Sequence, residues 1–200
     1  MKLIKGLVVL IIFAVLGYFG YKYFIGEKNP AQDIYVVQST DKYNYKLHNN
    51  SSEAFKKYFK ELYNVLKEEN YDEEHYASLI AKLFIIDFYT LDNKISNIDI
   101  GGIQFVHSEI VDNFKIKAKD TVYKYVKSNM YGDRKQDLPV VDDVNIDNIT
   151  VKPLKNNAFN DDKAYYIELS WNYKKDLGFD TKKNIILVHE NEKLSLVSID

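Results

Sequence analysis

The chain has 200 residues, with 27 basic and 29 acidic side chains, a formal net charge of −2 and no cysteine. Without cysteine there is no disulfide framework, no thiolate chemistry and no lipid-bearing signal. Met1–Lys28 holds four lysines and one glutamate, which leaves 23 basic against 28 acidic residues and no basic stripe, so nucleic acid is excluded as the main partner.

Leu3–Phe24, LIKGLVVLIIFAVLGYFGYKYF, is apolar enough to sit in a bilayer, and Gly6–Tyr21 carries no charge. A helix from Leu3 to Ile25 would be about 35 Å long at about 1.5 Å per residue, enough for one crossing. Lys5 and Lys22 bracket the span, and Tyr18, Phe19, Tyr21, Tyr23 and Phe24 form an aromatic belt at its C-terminal end. The sequence therefore predicts a cytoplasmic leader (1–5), a transmembrane anchor (6–25), a polar stalk (26–49) and an extracytoplasmic domain (50–200). The basic bias at Met1, Lys2 and Lys5 puts the N-terminus inside. The rival is a cleaved signal peptide with Leu7–Leu16 as its apolar region, but no Ala-x-Ala site follows.

Pro30 stops the membrane helix, and Ile34–Val37 is a short extended piece. Asn50-Ser51-Ser52-Glu53 matches a capping box with Asn50 as N-cap, opening a helix over 51–69. Its stripe is Ala54, Phe55, Tyr58, Phe59, Leu62, Tyr63 and Leu66. A second helix starts at Asn70 or Asp72 and runs to Leu91. It is apolar around more of its circumference and is the more buried of the two. Asp92–Gly102 reads as a loop and Ile103–Val106 as extended. A third helix is expected from Ser108 to about Met130. After Pro139 the period changes to two: Val140–Val144, Ile146–Leu154, Ala164–Lys174, Asn184–Glu190 and Lys193–Ile199 read as strands. Pro153 marks an edge, and Asn191-Glu192 makes a tight hairpin. Three helices followed by about four antiparallel strands give an α+β fold with helices packed on one face of a curved sheet.

The chemistry is sparse. His48, His75, His107 and His189 lack ligand spacing, and no phosphate loop, nucleophile elbow or zinc-protease motif occurs, so neither metal nor cofactor is expected. Asp142-Asp143 and Asp161-Asp162 read as turn and edge residues. Asp87 interrupts the apolar run Leu83–Phe88. Either its pKa is raised by burial, as suits a general base, or it is a structural residue bonded to a neighbour. If the helices and sheet enclose a cavity, Asp87, Tyr89, Tyr165, Trp171 and Tyr173 are the candidates to line it. Thr121–Tyr131 offers a second candidate, a partner-binding face of Tyr123, Lys124, Lys127 and Tyr131, with an ordinary solvated helix face as the alternative. Gly101-Gly102 is either a hinge or a tight turn.

The order of leader, membrane helix, stalk, three helices and antiparallel sheet resembles the inner-membrane scaffold components of type IV secretion and conjugation machines. LFIIDFYTLDNK (Leu83–Lys94) and DIGGIQFV (Asp99–Val106) fall where that family connects its helices. The Asn-Pro-x-Gly motif of Gram-negative members is missing. The resemblance implies a nuclear-transport-factor-two-like (cystatin-like) roll and a single-pass assembly protein at the cell membrane. It also implies that the protein is not an enzyme, and that it oligomerises or recruits protein partners. The heavy use of Lys, Asn, Ile and Tyr points to a low-GC Gram-positive bacterium. The alternative is a small-ligand-binding or proton-transfer domain with its cavity between helices and sheet.

Overall fold

The computed structural model describes residues 33–200, so the expected leader and anchor lie outside the described residues. Among those described, no helix is long and apolar enough to cross a membrane.

The chain begins with a hairpin, β1 (Val36–Ser39) antiparallel to β2 (Lys46–His48). Tyr43 and Asn44 take positive φ to turn it. The turn drives Tyr45 inward until it is fully buried, with its hydroxyl 2.6 Å from that of Tyr76. The segment read as a polar stalk thus contributes a residue to the core.

Helix α1 (Glu53–Val65) starts later than its sequence suggests. Ser52, not Asn50, is the cap: its Oγ accepts from the Phe55 N–H at 3.2 Å. Asn50 instead donates through Nδ2 to the Asn93 carbonyl. The buried stripe of Ala54, Phe55, Tyr58, Phe59 and Leu62 is as expected. The helix stops early because residues 67–70 are polar and exposed, and the Lys67 and Glu68 N–H groups bond three residues back.

Helix α2 (Glu73–Tyr89) is the central element. Asp72 caps it through the Glu74 N–H, and it is buried on nearly every side, from Tyr76 to Tyr89. Thr90 ends it in extended conformation and accepts the Val141 N–H on its Oγ1, while the Leu91 N–H donates to the Pro139 carbonyl. These bonds tie the helix end to the first strand of the main sheet.

Ile103–Phe105 is a turn of 3-10 helix rather than an extended piece. Helix α3 (Val111–Asp120) is shorter than the expected 108–130. Its Thr121 hydroxyl bonds back to the Lys117 carbonyl and the chain leaves helical geometry there, which lets Tyr123 turn inward.

The main sheet is an antiparallel meander in the order β3-β4-β5-β6. Its strands are β3 (Val141–Lys155), β4 (Asn160–Tyr173), β5 (Lys182–Glu190) and β6 (Lys193–Ile199). The two runs expected before residue 155 form one long strand with three register irregularities, the last of which holds Pro153. In β4, Tyr165, Ile167, Leu169 and Trp171 face the core. The β5–β6 turn is the predicted Asn191-Glu192 pair, with Asn191 at φ 60°. The described fold is α+β, with three helices and a four-stranded antiparallel sheet.

Candidate functional site

The five cavity candidates fall into three places. Asp87 sits on α2 facing the 92–102 loop. Its Oδ1 is 2.6 Å from Lys94 Nζ and its Oδ2 accepts the Gly102 N–H at 2.7 Å. The Lys94 side chain is only 6% exposed. Burial disfavours the Asp87 carboxylate, but the charge and hydrogen bond of Lys94, with the Gly102 N–H, outweigh it and lower the pKa. Of the two readings open for Asp87, the geometry matches the structural one: the carboxylate is bonded to a neighbour, and its pKa is lowered, not raised.

The loop is shaped to reach it. A Cβ at Gly101 would lie 2.1 Å from the Asp87 carbonyl oxygen and 2.7 Å from Lys94 Nζ. Gly102 takes φ +75°, where a Cβ would lie 2.9 Å from Phe84. Close approach and left-handed backbone therefore require this glycine pair. Tyr123 completes the arrangement, accepting the Gly101 N–H at 2.9 Å and donating to the Phe88 carbonyl at 2.7 Å.

Tyr89, Trp171 and Tyr173 form a second group. Tyr89 stacks on Trp171 with centroids 4.7 Å apart, and Tyr173 meets the indole edge-on at 6.3 Å. The Tyr173 hydroxyl donates to the Asp180 carbonyl, and burial pushes its pKa up to about 12. Phe84 and Phe88 stack beside Phe114 and Tyr123. With Phe84, Phe88, Tyr89 and Trp171 all buried, the space between helices and sheet is packed with rings.

Tyr165 belongs to a third group that sequence reasoning missed. Its hydroxyl donates to Glu73 Oε2 at 3.0 Å. Glu73 Oε1 is 3.0 Å from His189 Nε2, and Asp161 Oδ2 is 2.9 Å from His189 Nδ1. Asp161 is thus a partner for an imidazole rather than a simple edge residue. No short spacing announces the group, because the sheet register brings Asp161 to His189 and the α2 N-terminus brings Glu73. The carboxylates take opposite ring nitrogens and do not converge on one point. Among the described residues no cluster of three or more His, Asp or Glu is placed to hold a metal ion.

Of the interaction candidates, Tyr123 is fully buried and is a core anchor, which corrects its placement on a partner-binding face. Lys124, Lys127 and Tyr131 are exposed. The Lys127 N–H donates to Gln136 Oε1, and its carbonyl accepts from Arg134.

Open clefts remain at the surface. One of ≈ 420 Å³ includes His48, Asn93, Lys94 and Gln104 beside Asp87. Another of ≈ 700 Å³ is lined by Tyr43, Gln104, Ser108, Glu190 and Lys193. The cation of this second cleft is already engaged: Lys193 Nζ donates to the Gln104 carbonyl at 2.9 Å and sits 5.0 Å from the Tyr45 ring centroid. Comparison with known proteins finds no matching family model, no matching curated protein and no matching solved structure.

Proposed function

We propose that the chain is a membrane-anchored extracytoplasmic scaffold or adaptor, held at the cell membrane by Leu3–Phe24. It acts through protein contacts as an assembly component of a secretion or conjugation machine. The observation that carries this reading is the filling of the helix–sheet interface by Phe84, Phe88, Tyr89 and Trp171. A small-molecule roll needs that space open. Asp87, the best acid–base candidate in the sequence, is instead spent on Lys94 and Gly102.

The test is in-cell cross-linking of the tagged full-length chain, followed by mass spectrometry of the membrane fraction. Recovery of secretion ATPases, channel subunits or copies of the chain itself is the expected result. Recovery of bulk membrane proteins alone overturns the reading.

A further inference from the structure

Tyr43, Asn44 and Asn191 are the non-glycine residues with left-handed backbone among the described residues, at φ 63°, 52° and 60°. A bulky side chain is an outlier in that region and stays there only where its surroundings hold it. The three belong to two turns, β1–β2 and β5–β6, and the turns meet. Tyr43, Asn191 and Glu192 line both the ≈ 700 Å³ cleft and a second of ≈ 470 Å³ that reaches Lys42, Glu69 and Tyr71. The clefts adjoin along these three residues and make a groove over the β5–β6 turn.

The groove lies at the end of the domain away from the point where the described chain begins. Asn49 donates to the Asp33 carbonyl, and Asn50 pairs with Asn93 just past the C-terminus of α2. The Tyr43 hydroxyl is instead 3.0 Å from that of Tyr71, ahead of the N-terminus of α2, and its ring stacks on Tyr76 at 5.9 Å. The 17 residues of α2 separate the two ends by about 25 Å.

This far end is acidic. Glu68–Glu74, EENYDEE, holds five acids and no base. Some of that charge is used within the fold: Asp72 caps α2, and Glu73 is bonded to Tyr165 and His189. Glu69 and Glu192 are exposed, line the groove and bond to no described residue. Two ammonium groups of the chain already rest on tyrosines here, Lys42 Nζ 4.7 Å from the Tyr71 centroid and Lys193 Nζ 5.0 Å from that of Tyr45. Tyr43 contacts both tyrosines, and among the described residues no cation lies over its own ring. Burial and the Tyr71 bond raise the Tyr43 pKa, and the charge of Glu192 adds to them.

We propose that this groove docks a basic, lysine- or arginine-bearing segment of a partner protein, with one cationic side chain on Tyr43 and with Glu69 and Glu192 as its counter-charges. A tyrosine face draws a cation electrostatically, and an acidic rim steers a basic partner to it. The inference rests on the reading of the chain as a scaffold that acts through protein contacts. On that reading the anchor leads in at Asp33, so the groove sits at the end remote from the attachment.

The test is a titration of the isotope-labelled full-length protein, in uncharged detergent, with acetylated trilysine amide, read by amide NMR. Saturable shifts are expected at residues 42–43, 70–71 and 191–192. Glu69→Gln with Glu192→Gln is expected to weaken binding about tenfold. Asp147→Asn with Glu168→Gln removes the same charge from exposed sheet positions and should leave binding unchanged. Tyr43→Phe keeps the ring and should bind as the wild type does. Shifts spread evenly over the acidic surface, equal weakening by the control pair, or spermidine bound as tightly as the peptide overturn the proposal. The in-cell cross-linking described above separates it from the reading it rests on. Machine subunits recovered equally by the wild type and the Glu69→Gln, Glu192→Gln variant overturn the groove and leave the scaffold standing. Trilysine bound at the groove, with bulk membrane proteins alone recovered, keeps the cation site and overturns the scaffold.

Discussion

At His189 two carboxylates close on one imidazole, and both ring nitrogens can donate only when the ring is charged. Burial opposes that charge, but the hydrogen bonds the ring donates to Asp161 and Glu73 outweigh it and raise the His189 pKa above 6.5. A raised histidine stabilises the fold fully below its unfolded pKa and loses the contribution as pH rises through its folded value. Asp161 runs the other way. Burial opposes its ionisation, the bonds of His189 and Lys163 outweigh it, and its depressed pKa gives stability that is lost as pH falls. The group is therefore strongest between about pH 4 and 6.5, the two unfolded values. The urea midpoint should decline from pH 6 to pH 8, and His189→Gln should flatten that decline. An unchanged decline in the variant would place the titration elsewhere. Asp87 yields a sharper loss. Asp87→Asn leaves the nearly enclosed Lys94 ammonium without its counter-charge, at a cost of about 3 kcal/mol, read from urea denaturation. Wild-type stability in the variant would show that the pair does not hold the loop. The sequence marks Asp87 as an oddity in an apolar run but gives no sign of Lys94, whose approach depends on the turn at the glycine pair.

The elements differ in how plainly they are written. α1, α2 and β4 each bury one long periodic set, so hydrophobic period alone locates them. α3 buries only Ala118, and the apolar residues after it serve a turn instead of a longer helix. Periodicity reads Val122, Tyr125 and Val126 as helix because it cannot see Tyr123 being drawn under α2. The extended piece expected at Ile34–Val37 overlaps β1, but β2 was hidden, since a strand of three residues has too little pattern to stand out from a stalk. Tyr123 supplies the test at this scale. Tyr123→Phe keeps the ring but leaves the Gly101 N–H and Phe88 carbonyl unpaired, costing about 1–3 kcal/mol. Hydrogen exchange should quicken at Gly101 and through 121–126 while α2 stays protected. Equal quickening throughout α2 would mean that the hydroxyl supports the whole core and not the loop.

For the whole molecule, the decisive residue is Tyr45, because it determines where the cooperative unit begins. Its ring stacks on Phe105 at 5.3 Å, its hydroxyl meets that of Tyr76 at 2.6 Å, and it donates to the Leu194 carbonyl at 3.4 Å. One side chain thus joins the N-terminal hairpin to α2, the 3-10 turn and β6. Such a residue cannot belong to a stalk that melts independently. Tyr45→Ala removes a fully buried aromatic and leaves the Tyr76 hydroxyl with only the Leu194 N–H, so about 3–5 kcal/mol should be lost. If the hairpin and the domain are one unit, fluorescence of Trp171 and exchange at β2 will report a single transition, shifted together. If the hairpin is a tether, the mutation will release β2 and leave the Trp171 transition where it was. The first outcome has a mechanical consequence: the hairpin is then fixed to the rigid body, and any contact made at its turn is carried directly into the helices and the sheet.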